Sequence, residues 1–477
     1  MLEYGLTEAC GYVQVRDNIK YLTSQTDVPY TSLLLDEDIH RSYKDEVLDL
    51  EYLADLEKRI GNPTLWQFIA ADRIVRYSQL VREYPYNTPM YSHTDMLRLA
   101  QAYAKKITAF LQTEKPDFIF MPQPGGLGTL LLFYLARSMG IQTQVIVIPG
   151  LANRTCISEV FEKLSGVEAL LAGGDIEPSY ITQAQEAIRE FREKPRSYSR
   201  AYDPQYVQHT RKRQLQFLSF AGFHWTISFG YRMVRDWMRN TAAKGDYSTI
   251  HPWHYYLDRF RRKVTNFVGY NDLYDSFDEN ISYGFFPLNL EPELSLLVQA
   301  PFSLNQIEAI GHIAQSLPVG MILYVKEHPQ MVGYRPRSYY KELKKIPNVR
   351  LLRPSIPGVQ VMQDSRIVFT IAGTAGFEAA LFKKPIISFG KLYYNELSFV
   401  RRSATPEELP HLIREQLSHF GFNEDELVRF VAALFKDSAH VDFAHLWAFE
   451  YDVLKIREES KDLTHLLAHK VGLQVGM

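Results

Sequence analysis

Two periods alternate along most of this chain. Short runs of β-branched, leucine and aromatic residues at 31–35, 117–121, 144–148, 321–329, 348–353, 367–371 and 386–389 read as buried strands. Stretches with helical spacing lie between and around them, at 43–60, 64–83, 129–139, 377–384 and 442–470. A further helix, ending at Leu317, is expected to open at Ser303-Leu-Asn-Gln306, which has the form of a capping box. Strand pieces are expected at 283–287 and 296–299. Strands alternating with helices predict an α/β protein with parallel, doubly wound sheets. Such sheets bind ligands outside the carboxyl ends of their strands, and candidate chemistry is sought there.

Two strand-turn-helix units carry glycine turns at such ends. In the later one, the run 367–371 stops at Gly373-Thr-Ala-Gly376, a small-residue turn opening a helix that Pro385 ends. Exposed N–H groups and the positive end of a helix suit a phosphate, although any tight βα turn looks similar. In the earlier unit, strand 117–121 runs into Pro122-Gln-Pro-Gly-Gly-Leu-Gly128, and Gly140 closes the following helix. Leu131 stands where a dinucleotide fingerprint needs its last glycine, so NAD is not expected. Gly126 is kept as a place where a ligand approaches the backbone. Arg154, just beyond the 144–148 strand, is expected to be an exposed structural arginine, with an anion contact as the second reading. Lys326-Glu-His-Pro329 and Arg353 mark two more polar strand ends. Asp36 and Asp38 follow the first strand, where α/β enzymes place catalytic groups and where solvated loop acids are also common.

Composition narrows the classes. The chain has 477 residues, 46% apolar and 23% charged, with a net charge of −2, which fits two or three globular domains. Two cysteines form no disulfide framework and no metal-ligand spacing, so a reducing, cytoplasmic setting is expected. The opening residues lack the features of a signal peptide, and no apolar run is long enough to span a membrane. No HExxH, Walker-type or GxSxG motif occurs, which removes the main support for metalloprotease, P-loop ATPase and serine hydrolase readings.

One segment departs from the average. Residues 186–265 carry 16 Lys/Arg against 7 Asp/Glu, including Arg211-Lys-Arg213 and Arg261-Arg-Lys263, around an aromatic stretch at 217–229. Two readings stay open for it. One is peripheral contact with an anionic membrane surface. The other, slightly preferred, is a helical insertion that packs its aromatics into a domain interface and exposes its arginines. Nucleic acid is not expected, because the rest of the chain is not basic.

The combination at 283–394 resembles the capsular polysaccharide biosynthesis family, GT-B-fold glycosyltransferases that include the capsule β-Kdo transferases. The resemblance rests on Lys326-Glu-His-Pro329, Gly373-Thr-Ala-Gly-Phe-Glu-Ala379, the following Lys384-Pro-Ile-Ile-Ser-Phe-Gly390, and Phe285-Phe-Pro-Leu288 with Glu291-Pro-Glu293. Asn289 departs from the pattern, standing where a histidine is usual. The resemblance implies two Rossmann-like domains facing a cleft: 1–185 for the acceptor, 186–265 as the helical basic and aromatic insertion, 266–440 for the nucleotide sugar, and 441–477 as closing helices. It implies that His328 and the N–H groups around Gly373, Thr374, Ala375 and Gly376 meet the donor phosphate, helped by Lys326 or Arg353. Glu378 would accept from a ribose or sugar hydroxyl. A general base would come from the N-terminal domain, where Asp36 is the candidate carried. A CMP-activated sugar, Kdo among them, is favoured over UDP- or GDP-sugars, with no metal or separate cofactor. The acceptor would be a surface polysaccharide or lipid-linked primer at the inner face of a membrane. The rivals are a sugar-nucleotide epimerase of the same fold and a non-catalytic polysaccharide-assembly protein.

Overall fold

The computed structural model describes residues 4–6, 8–25, 28, 30–61, 64–77, 91–195, 220–242, 252–293, 295–443, 445–446 and 452–473. The expected basic cluster at Arg211, Lys212 and Arg213, residues 217–219, and the 78–83 end of an expected helix lie outside the described residues.

The second half is built on six parallel strands: β6 (Tyr283–Pro287), β7 (Ile322–Lys326), β8 (Val349–Leu352), β9 (Ile367–Thr370), β10 (Ile386–Ser388) and β11 (Val400–Arg402). Their order across the sheet is β11-β10-β9-β6-β7-β8. Counted from β6, this is the doubly wound order 3-2-1-4-5-6, in which the winding reverses between the first and fourth strands. Here that reversal falls between β6 and β9, with Phe285 paired to Tyr324 on one side and to Val368 on the other. Both faces of the central strands are buried, which explains why β9 reads as an unbroken apolar run rather than an alternating one.

The first half is less regular. A parallel pair, β1 (Ala9–Val13) and β2 (Tyr30–Leu35), stands apart from a four-stranded sheet ordered β12-β5-β4-β3. There β3 (Phe118–Pro122) and β4 (Gln142–Val147) are parallel, while β5 (Thr155–Ser158) runs antiparallel to β4. The last strand, β12 (Ser438–Ala439), comes from the far end of the chain. Two α/β units are thus present, the first with a divided sheet. The helix Pro178–Glu193 contains the expected boundary at 185, and its Ala184 and Ile188 share a core with the second sheet.

Several elements differ from expectation for local reasons. Asp36, Glu37 and Asp38 do not sit in a loop but open the helix Asp36–Ser42, where first-turn carboxylates face unpaired N–H groups. The helix expected from 43 begins at Leu50, because Asp49 supplies the cap by accepting from the Tyr52 N–H at 2.9 Å. Asp72 divides the 64–83 stretch into Leu65–Ala71 and Arg73–Tyr77. The apolar piece 296–299 is helical, part of a single π-turn at Ser295–Gln299. Asn305, not Ser303, caps the helix Gln306–Ser316.

Candidate functional site

The winding reversal brings the end of β6 against the end of β9. Beyond β9 the chain turns through Gly373, whose φ of +126° favours glycine, and enters the short helix Ala375–Leu381. The turn is held from behind. The Asn289 side-chain amide, at the end of β6, donates to the Ala372 carbonyl, and the buried Tyr394 hydroxyl donates to the Gly373 carbonyl at 2.7 Å. Burial, with the charge of Glu378 beside it, pushes the Tyr394 phenol well above its ordinary pKa, so it stays a donor. Gly376 is required by this packing, since a Cβ there would lie 2.4 Å from the Tyr394 oxygen. On the other side, the N–H groups of Thr374, Ala375 and Gly376 meet no side-chain acceptor among the described residues.

The β7 end is tied to the same frame through Arg335, which is fully buried. Its guanidinium bonds Glu327, lies 3.5 Å from Glu291, donates to the Asn289 carbonyl at 2.6 Å and sits 4.9 Å over the Tyr339 ring. Glu327 also accepts from the His328 N–H and the Tyr340 hydroxyl, each at 2.6 Å. A buried ion pair adds little net stability, but removing one partner strands the other charge at high cost. Asn289, Glu291, Glu327 and Arg335 therefore lock the ends of β6, β7 and β9 into one unit. Glu291 is raised above the ordinary carboxyl pKa by burial, against the pull of Arg335 and Gln306.

The expected residues fall in distinct surroundings. His328 is half-buried, and its Nδ1 accepts from the Gln330 N–H at 3.2 Å, capping the short turn Pro329–Met331. That bond makes Nδ1 the acceptor, so the neutral ring carries its proton on Nε2. Lys326 is buried, its Nζ 3.5 Å from the Glu327 carbonyl and its stem against Gly358. Glu378 is buried in the first turn after Gly373. Arg353 is exposed and bonds Asn271 at 3.1 Å, outside the buried frame. Arg154 stacks at 4.8 Å on Phe435.

The N-terminal candidates are occupied by the protein itself. Asp36 is buried, accepting from the Tyr12 hydroxyl at 2.6 Å and from Tyr103. The nearby His40 Nε2 lies 2.6 Å from the Tyr91 hydroxyl. This is a satisfied carboxylate rather than an open one. Asp38 is exposed and pairs with Arg16. The Gly126 turn corrects expectation most clearly. Asp72 Oδ2 accepts from the Leu127 N–H at 2.9 Å, and Thr129 Oγ1 accepts from the N–H groups of Gly125 and Gly126, each at 3.1 Å. The anion place is filled from within.

Between the two units lies a cavity of about 600 Å³. Phe68, Tyr134 and Phe161 line it from the first unit, and Phe302, Lys391 and Arg402 from the second. Burial and the charge of Glu162 push the Tyr134 hydroxyl up to about 12. Phe389 and Lys391 line the cavity on either side of Gly390, whose N–H donates to the Ile371 carbonyl at 2.8 Å, one residue past β9. Sequence reasoning did not find Arg335, Tyr394, Asp72 or the cavity. Arg335 stands before Pro336 like any loop arginine, and only the fold reveals its burial.

The family comparison bears on the part of the chain that holds this turn. Residues 174–401 match the family model described as capsule polysaccharide biosynthesis protein, so this segment carries the capsule polysaccharide biosynthesis pattern that the motifs resemble. Among solved structures, it is similar to Thermosulfurimonas dismutans KpsC, beta Kdo 2,7 transferase, at 10% identity and a TM-score of 0.37, over 69% of this chain and 80% of that one. It is also similar to the beta Kdo 2,4 transferase of the same protein, at 13% identity and a TM-score of 0.37, over 67% and 80%. The UDP-GlcNAc 2-epimerase of Methanocaldococcus jannaschii is similar at 10% identity and a TM-score of 0.27, over 90% and 99%. No curated protein matches.

Proposed function

We propose that this protein is a glycosyltransferase of capsule or surface polysaccharide assembly, moving a sugar from a nucleotide donor onto a glycan acceptor. One observation carries the reading: an unfilled glycine turn at the winding reversal of a doubly wound sheet, inside the segment that matches the capsule family. A departing nucleotide phosphate gains negative charge as the glycosidic bond breaks, and pre-placed donors stabilise it. The N–H groups of Thr374, Ala375 and Gly376 and the Nε2–H of His328 are such donors, on strand ends that Arg335 and Asn289 fix relative to each other. Lys326 adds positive charge beneath them. Glu378 is assigned to a donor hydroxyl. The aromatic and basic cavity beside the turn would hold the end of the acceptor glycan. A CMP-sugar, Kdo among them, is the donor proposed.

Calorimetry with CMP, UDP and GDP tests this. One nucleotide is expected to bind, with affinity falling at least tenfold, ~1.4 kcal/mol, in His328→Ala. No binding by any of the three would sink the transferase reading and leave a non-catalytic assembly role. Binding of UDP, with isomerisation of a free UDP-sugar and no transfer, would replace it with the epimerase.

A further inference from the structure

The helices Phe220–Ala242 and Pro252–Val268 form a layered appendage on the second unit. They meet closely at Gly230, where a Cβ would lie 2.0 Å from the Tyr256 hydroxyl, and Phe229 contacts Tyr255 at a ring distance of 5.4 Å. The second helix faces the body with Arg262, which is paired to Asp258 at 2.5 Å and stacked 4.4 Å over Tyr334. Asn266 packs on Gly333 beside it. The preferred sequence reading, aromatics inside and arginines outside, holds for Tyr255, Tyr256 and Arg261 and is reversed at Arg262, which is buried, and at Trp253, Phe260 and Phe267, which are exposed.

What the helices leave outside is ordered. Ile227, Tyr231, Val234 and Met238 are 39–70% exposed and follow one another at steps of four, three and four residues. Trp253, Phe260, Val264 and Phe267 are 46–67% exposed at steps of seven, four and three. Each set forms one face of its helix. Arg232, Arg235 and Arg239 share the first helix with a single acid, Asp236, and Arg259, Arg261 and Lys263 flank the stripe of the second.

We infer that these two stripes dock on an anionic lipid surface, lying in its plane with the apolar rows inserted and the cations among the headgroups. Charge selects this occupant over a second copy of the chain, since self-association through this face would set the six cations of one copy against the six of the other. No described helix is long and apolar enough to cross a membrane, so the contact is one of surface. The docking stands independently of the transferase reading. If that reading also holds, the bilayer comes close to the catalytic frame, because Gly333 and Tyr334 lead directly into Arg335.

Flotation of the full chain with vesicles tests this. We expect binding to phosphatidylcholine vesicles containing phosphatidylglycerol, little binding to phosphatidylcholine alone, and release by high salt. The variant Tyr231→Ser/Met238→Ser/Phe260→Ser/Phe267→Ser should bind at least ~10-fold less, and Arg232→Glu/Arg239→Glu should lose the preference for anionic lipid, with unchanged thermal unfolding in both. Equal partition to both vesicle types, or none, would overturn the inference. So would a dimer, seen by sedimentation, that the serine variant dissolves. Nucleotide binding measured on the same variants separates a docking failure from failure of the donor site.

Discussion

Two glycine turns at strand ends look alike in sequence and are opposites in structure. At Gly126 the chain supplies its own anion. Asp72 caps the Arg73–Tyr77 helix, accepting from the Ile74 and Val75 N–H groups at 2.9 and 3.0 Å, and with its other oxygen takes the Leu127 N–H. At Gly373 the partners stand behind the turn, on the carbonyls of 372 and 373, and the N–H groups of 374–376 meet no side-chain acceptor among the described residues. A carboxylate on the N–H side fills a turn from within; polar groups on the carbonyl side hold a turn in shape and leave its N–H groups unused. Glycine spacing alone does not distinguish the two.

The comparison can be broken at several points. The largest effect is expected from Arg335→Ala, which strands Glu327 and Glu291 without their buried cation; a loss of about 3–5 kcal/mol in denaturant unfolding should accompany loss of nucleotide binding. Asp72→Ala should cost about 2 kcal/mol by uncapping a helix and freeing three donors, yet leave nucleotide affinity at the other turn unchanged. Equal loss of nucleotide binding in Asp72→Ala would make the first turn functional after all. Tyr394→Phe removes one hydrogen bond behind Gly373, and about 1 kcal/mol of stability should go with it.

The smallest effect is a pH slope. A carboxyl held above its ordinary pKa binds more protons folded than unfolded, so the protein should lose stability as pH rises from the ordinary glutamate range through the raised value of Glu291. Glu291→Gln should flatten that part of the curve, read as the urea midpoint against pH. Parallel curves for the two proteins would show that Glu291 does not titrate there.

The strands of the second sheet were legible because they are covered on both faces and therefore spell continuous apolar runs. The 296–299 piece failed for the same reason: three apolar residues in a row suit a buried helical turn equally well. His328 and the Gly373 turn were singled out in the sequence because local motifs carry them. The groups that position them were not, since Asn289 to Ala372, Arg335 to Asn289 and Tyr394 to Gly373 join residues far apart in the chain. No local period encodes such pairs. The appendage shows a different limit: an amphipathic helix has the same pattern whether its apolar face is packed or left for a later surface.

The short strand β12 sets an order in time. Ser438 and Ala439 pair with Cys156 and Thr155, and Val441, Leu463 and Leu467 cluster with Ile157. During synthesis from the amino end, the first sheet must wait with an open edge at β5 while nearly the whole second unit emerges. The half that is translated first is thus completed last, and a ribosome stalled before residue 438 would hold a finished second sheet beside an unfinished first one.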